Sequence, residues 1–266
     1  MPISREDRDF VQTLDRGLAI LQSFDAAHPT RSLRQAAEAA GISRPAARRL
    51  LLTLEALGYL ESSGSTYRLT TRVLALADAY LGSRSIHEVA ERHLKSFASD
   101  VGESAALAML DDTEIVLVVR VPVNRMRSFL LGLGERLPAY ATAQGRVLLA
   151  YLSDAALDRF FQEARLLPVT GRTLTDPAQL RAELQAIAKQ GWALVDQEYE
   201  INMRAVAAPV RDHSGGVVAS VGCMCHVGRV SLERLTNDVV PRLLQAAADI
   251  EAELGADFDA ASRPAS

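Results

Sequence analysis

Apolar and polar positions in residues 32–57, SLRQAAEAAGISRPAARRLLLTLEAL, repeat with a helical period that is interrupted once. Leu33, Ala36, Ala37 and Ala40 share one side of a first helix. Ser32 caps it, Gln35 completes a capping box, and Gly41 ends it where a left-handed residue is wanted. Ile42 plugs the turn. Ser43 caps a second helix, and Pro45 sits in its first turn, where a missing N–H costs nothing. Ala47, Leu50, Leu51, Leu54 and Leu57 form the inward stripe of this helix, and Arg44, Arg48 and Arg49 fall away from it. Two helices about a Gly-containing turn, with arginines at the exposed start of the second, is a helix-turn-helix pattern. Amphipathic pairs of this kind also serve as plain packing units. The next residues favour DNA binding: 58–61 and 67–69 are strand-like runs flanking Ser62-Ser63-Gly64-Ser65, a hairpin placed as a wing.

Around this block the patterning predicts further elements. Residues 13–24 form a helix with Leu14, Leu18, Leu21 and Phe24 on one face, and 71–81 form an apolar helix suited to two packing partners, as a linker in a dimer would be. Ser85 and Glu88 open a capping box for a helix to about Val101. Strands are predicted at 105–110, 115–120, 128–133, 192–196, 204–211 and 217–225. Helices are predicted within 138–152, at 154–163, from Asp176-Pro177 to Gly191, and from Ser231 to Leu254 with a kink at Pro241. The sequence therefore divides into a DNA-binding domain at 10–70, a linker helix at 71–84 and an α+β domain at 85–256, helices covering an antiparallel sheet. Residues 1–9 and 257–266 carry no such pattern and read as disordered.

Charge sharpens this division. The net charge of −4 is unevenly spread. Residues 28–72 hold seven basic against three acidic side chains, net +4, whereas 85–266 hold 18 basic against 24, net −6. Positive charge sits where phosphate contacts are expected. Arg44, Arg48 and Arg49 are the candidates for base and phosphate contact, with Ser43 and Pro45 at the same helix start; Arg31, Ser32, Arg34 and Arg68 suit phosphate. No run approaches eighteen apolar residues and the start, MPISREDRDF, is polar, which argues against a membrane span or a secretory leader and for the cytoplasm. Cys223 and Cys225 lie too close for an ordinary disulfide. They read as small hydrophobes on one strand face with His226 on the other, and no metal or cofactor is called for. Asp196, Glu198 and Glu200 alternate and would share a strand face, as a solvated edge or a pocket rim. No Gly-rich phosphate loop, nucleophile elbow or HExxH is present, so the chain does not read as an enzyme.

Several blocks together resemble the IclR family of bacterial transcription regulators along nearly the whole chain. These are TLDRGLAIL at 13–21, ISRPAARRLLLTLEALGYLES at 42–62, LPAYATAQGRVLLAYL at 137–152, WALVDQEYE at 192–200, RAVAAPVRD at 204–212 and RVSLERL at 229–235. RVPVNRMRS at 120–128, with WALVDQEYE, resembles the branch that controls aromatic-acid breakdown genes in response to 4-hydroxybenzoate, protocatechuate or β-ketoadipate.

The resemblance implies an N-terminal winged helix-turn-helix, a linker helix and a C-terminal GAF-like effector domain. It also implies homodimers, often paired into homotetramers, on palindromic double-stranded operators, with a small carboxylate effector changing the spacing of the DNA-binding heads. Carried over position by position, the effector site takes in Leu130, Thr142, Ala143, Gln144, Gly145, Asp196, Ala205, Gly222 and Met224. The start of the helix near 145 offers free N–H groups to a carboxylate, an independent physical reason. This chain departs from the family pattern in having Ala at 205, Gly at 222 and Met at 224, where polar residues or Cys are usual, and Asn at 202, where Gly is usual. The loss of polar groups predicts a more apolar or bulkier effector, or a different aromatic acid. An enzyme with an appended DNA-binding module, and a small-molecule binder with no DNA role, are the alternatives.

Overall fold

A computed structural model describes residues 7–25, 27–73, 86–123 and 132–261, with side chains to 255. The chain divides into two compact units between Ser83 and Arg84. Residues 74–85, which hold most of the expected linker helix and the Ser85 cap, lie outside the described residues, as do 128–131 of the expected third strand and Leu130 with them.

The N-terminal unit packs α1 (Gln12–Gln22), α2 (Leu33–Ala39) and α3 (Arg44–Ala56) over a three-stranded sheet, β1 (Arg31–Ser32), β2 (Leu60–Ser63) and β3 (Thr66–Leu69), in the order β1-β3-β2. Ser32 and Gln35 form the capping box, and Ser43 caps α3 by accepting from Ala46 N–H. Gly41 takes φ +63, and Ile42 N–H returns to the Ala37 carbonyl, closing the turn between α2 and α3. Ile20, Phe24, Ala36, Ala37, Ala47, Leu51, Leu54 and Leu60 make the core. Two expectations are corrected here. Leu14 and Leu18 of the expected face are 61% and 46% exposed, while Leu21 and Phe24 of that face meet the core and Ile20 joins them, and Leu57 at 52% exposed is no part of the α3 stripe. Residues 7–9, expected to be disordered, form a turn in which Phe10 N–H reaches the Asp7 carbonyl.

The C-terminal unit is built on a six-stranded antiparallel sheet. Its strands are β4 (Ser104–Asp111), β5 (Glu114–Val121), β6 (Arg136–Pro138), β7 (Ala193–Asp196), β8 (Met203–Arg211) and β9 (Val217–His226), in the order β6-β5-β4-β9-β8-β7. The helices are α4 (Ile86–Val101), α5 (Ala143–Ala150), α6 (Asp154–Glu163), α7 (Pro177–Gln190) and α8 (Val240–Ala261). One sheet face, with Leu107, Val119, Val206, Val221, Cys223 and Cys225, packs under α4 and α8. The other, with Ala108, Ile115, Leu117, Val195 and Ala207, packs under α5, α6 and α7. The closing segment starts with one α-turn at Leu232–Arg234, widens to π geometry over Leu235–Val239, and continues as α8 past the expected Leu254 boundary. The widening answers Pro241, which lacks an N–H and whose ring would strike the carbonyl four residues back in an unbroken α-helix.

One irregularity turns a charged side chain from one face of the sheet to the other. Ala108 pairs with Leu117 and Leu107 with Val119, so Val118 is an extra residue, a β-bulge. Leu117 belongs to the α5 face and Val119 and Val121 to the α4 face. Arg120 therefore faces the α5 side, paired across the ladder with Ala106; strict alternation from Leu117 would have turned it away.

Candidate functional site

In the N-terminal unit Arg44, Arg48 and Arg49 stand exposed along the start of α3, with no ion-pair partner among the described residues. The other predicted contact residues are partly engaged. Arg34 lies 3.9 Å from Glu38 across one exposed helical turn, and Arg68 of β3 pairs with Glu61 of β2 at 2.6 Å. Exposed pairs of this kind contribute little and open readily to a phosphate. Arg31 is different. Its Nε–H donates to the Ser23 carbonyl at 2.6 Å, a strut from the end of α1 to the wing sheet.

The C-terminal unit holds a cavity of about 1060 Å³ on the α5 face of the sheet. Its floor is two ladder rows. One runs Val195, Ala205, Met224, Ser104, and the next takes in Gly222, Ala106 and Arg120. The start of α5 supplies Thr142, Ala143 and Gln144, and the loop after β7 supplies Tyr199 to Asn202. Thr142 caps α5 through its hydroxyl to Gly145 N–H at 3.2 Å. The N–H groups of Ala143 and Gln144 donate to nothing among the described residues, so the first turn of α5 presents two donors and the positive end of a dipole at the cavity wall. Arg120 lines the same space.

Of the effector positions expected from sequence, Thr142, Ala143, Gln144, Ala205, Gly222 and Met224 come together around this cavity. Gly145 does not line it. A Cβ there would meet the Ala139 carbonyl oxygen at 2.2 Å, so glycine lets α5 seat against the preceding turn. Asp196 does not line it either. Its carboxylate accepts from Arg204 Nε at 2.8 Å. Burial raises the Asp196 pKa, but the hydrogen bonds from Arg204 and Gln197 and the charges of Arg204 and Arg172 outweigh it and hold the carboxyl below its ordinary value.

The shared face expected for Asp196, Glu198 and Glu200 is corrected as well. β7 ends at Asp196, and Gln197 takes φ +64, which breaks the alternation. Glu198 then turns to Arg146 of α5, accepting from both Nη1 (2.8 Å) and Nη2 (2.5 Å) and from Leu174 N–H at 2.8 Å. Arg146 is 1% exposed, and its Nε donates to the Tyr140 carbonyl at 2.8 Å. Glu200 goes on to line the cavity, where burial raises its pKa. Asn202 takes φ +66, a left-handed conformation that Asn adopts more readily than most residues other than Gly.

Sequence reasoning missed Arg120, Glu103, His226 and Arg229, all of which line the cavity, and of the three acids read as a solvated edge or pocket rim only Glu200 lines it. A lone arginine in the apolar run VLLA was the available sign that Arg146 is buried and that an acid must answer it. Glu103 is 5% exposed and hydrogen-bonded to Arg229. Burial pushes its carboxyl up, and the charge and hydrogen bond of Arg229 offset this only in part. Both cysteines pack in the core under α4 and α8, and Cys223 borders the cavity as His226 does.

An arginine-bearing winged helix-turn-helix in one unit and a polar-ended cavity in the other define a ligand-responsive DNA-binding regulator. Comparison with known proteins carries this further. Residues 13–64 match the IclR helix-turn-helix domain and residues 78–252 the bacterial transcriptional regulator IclR C-terminal domain. The chain belongs to the IclR family of transcription regulators and is not an enzyme. It is 40% identical to the Pca regulon regulatory protein of Pseudomonas putida, over 92% of this chain and 84% of that one. It is 33% identical to the p-hydroxybenzoate hydroxylase transcriptional activator of Acinetobacter baylyi, over 91% of both. The fold matches an IclR homologue of Microbacterium hydrocarbonoxydans complexed with 4-hydroxybenzoate, at 25% identity with TM-score 0.82, covering 92% of this chain and 99% of that one.

The Glu103–Arg229 pair yields a pH prediction. A carboxyl whose pKa is raised by folding binds its proton more tightly in the folded state. The cost of ionising it is absent below the unfolded value, grows as pH rises to the folded value, and is full above that. Arg229→Gln widens this interval. The variant is expected to be less stable than wild type by roughly 1–3 kcal/mol at pH 7, with the deficit shrinking as pH falls toward the ordinary carboxylate range. Urea unfolding across pH checks this, and a deficit independent of pH would contradict it.

Proposed function

We propose that the chain controls genes for aromatic-acid breakdown, acting in the cytoplasm as a homodimer or tetramer on a palindromic operator. The α5-face cavity binds the effector, a small carboxylate, and an aromatic acid in the first instance. The observation that carries this is the bulge at Val118, which aims Arg120 into a cavity whose wall already presents the open N–H groups of Ala143 and Gln144. A cation and a helix start on the same apolar-walled space suit one carboxylate on an apolar body. The relatives named as Pca and p-hydroxybenzoate regulators, and the neighbour complexed with 4-hydroxybenzoate, support the aromatic choice. Effector and operator then bias each other through a coupling free energy, typically about 1–3 kcal/mol.

Thermal unfolding with a panel of aromatic acids and ring-cleavage products tests the effector. A ligand that binds only the native state at about a hundred times its Kd adds roughly 2.7 kcal/mol, easily seen as a raised Tm. A rise with an aromatic acid that is lost in Arg120→Ala is the expected result, and no rise with any carboxylate would contradict the reading.

On the DNA side, the three exposed arginines of α3 enter the major groove in this reading, and Arg68 reaches phosphate from the wing. Arg48→Ala is expected to weaken operator binding by about 1–3 kcal/mol while sparing random DNA, whereas Arg68→Ala weakens both alike and lowers the salt slope by about one. Binding titrations on operator and random duplexes at several salt concentrations measure both effects. Equal losses on the two DNAs for Arg48→Ala would contradict its role in base reading.

A further inference from the structure

Gly222 and Gln144 occupy one another's space. A Cβ built on Gly222 would lie 2.6 Å from Cγ and 2.7 Å from Cδ of Gln144, so no larger residue fits while Gln144 stays where it is. Gln144 lies there because its amide bridges two strands of the floor. Nε2 donates to the carbonyl of Ala106 in β4 at 3.1 Å and to the carbonyl of Ser220 in β9 at 3.0 Å. The fully buried Ser220 hydroxyl donates in turn to the Gln144 backbone carbonyl at 3.1 Å. An amide has two N–H donors and one carbonyl acceptor. Both donors face backbone carbonyls, which can only accept, so the orientation of the amide is fixed by chemistry. Its Oε1 is left with no partner among the described residues, on a side chain that lines the cavity next to the open start of α5.

We propose that Gln144 is a specificity-determining residue of the effector site, presenting a lone acceptor that selects carboxylates bearing a hydroxyl donor over those without one. This deepens the carboxylate-effector reading and rests on it. It also changes the meaning of Gly222. The absence of a side chain there does not leave the cavity apolar, because Gln144 fills the vacated slot from α5 and brings a polar atom of its own. A hydroxyl on the ligand satisfies Oε1. An unsubstituted acid leaves that atom desolvated and unpaired, and an O-methyl ether sets two acceptors against each other.

The test uses matched acids on the full chain: benzoate, the three hydroxybenzoates and their O-methyl ethers, with propionate and lactate as the aliphatic pair, titrated by calorimetry. At least one hydroxylated acid is expected to bind wild type about tenfold or more tightly than its unsubstituted and O-methyl partners. In Gln144→Leu the ratio of hydroxylated to unsubstituted affinity falls toward one, whereas a purely structural role would weaken all the acids alike and keep the ratio. Gly222→Ala, which expels Gln144 from its slot without deleting it, is the second variant and is expected to lose the same preference. Acids that bind wild type with no preference for the hydroxyl, or a preference that survives in both variants, overturn the proposal and leave the carboxylate reading intact. Failure of every acid to bind overturns both.

Discussion

A fully buried arginine on α5 is the constraint on which the cavity of the C-terminal unit depends. Arg146 has its guanidinium held by the Tyr140 carbonyl and by both carboxylate oxygens of Glu198. An arginine cannot shed its proton to escape burial, so its partners are obligatory. Removing one partner of such a pair typically costs about 3–5 kcal/mol, because a charge is left buried and unanswered. The pair joins two segments far apart in sequence: the helix whose first turn supplies Thr142, Ala143 and Gln144, and the loop that supplies Tyr199 to Asn202. Thr170 and Thr173 tie the same loop by donating to the carbonyls of Gln197 and Glu198. One ion pair thus joins the helix and the loop that wall the cavity.

Upon this frame each feature of the site has a local cause. The bulge at Val118 turns Arg120 inward, Gly145 lets α5 approach the preceding turn, and Gly222 lets Gln144 reach the floor. The left-handed residues Gln197 and Asn202 bracket the loop and separate three acids that a straight strand would have aligned. Asp196 and Glu198 are each held by an arginine, so the alternating acids of this segment do not act as a carboxylate pair.

Much of the N-terminal unit was legible in the sequence because its signals are local. Ser32 with Gln35, Ser43 before Pro45, and Gly41 between them act within one turn of their own positions. The helices and longer strands of the C-terminal unit were legible for the same reason, with Asp176 and Gly191 marking the two ends of α7. What escaped depends on partners distant in sequence. The stripe of Leu14, Leu18, Leu21 and Phe24 has the right period, yet Leu14 and Leu18 stay exposed and the core takes Leu21 and Phe24 with Ile20, since periodicity finds a face without saying how much of it is covered. The two-residue β1 pairs with β3 and is too short to leave a pattern. A one-residue bulge reverses every orientation after it, so Arg120 could not be placed from alternation, and the fate of Gly222 depends on a side chain 78 positions away.

The most direct measurement is calorimetric titration of 4-hydroxybenzoate into wild type and Glu198→Gln, each shown to unfold in one cooperative transition. The substitution keeps the shape of the side chain and removes its charge, and Glu198 does not itself line the cavity. If the Arg146–Glu198 pair sets the cavity walls, the variant binds the acid at least about tenfold more weakly, with its first-turn donors and loop no longer held in register. Unchanged affinity in a variant that has lost stability would show that the cavity stands without the pair, and would contradict the account.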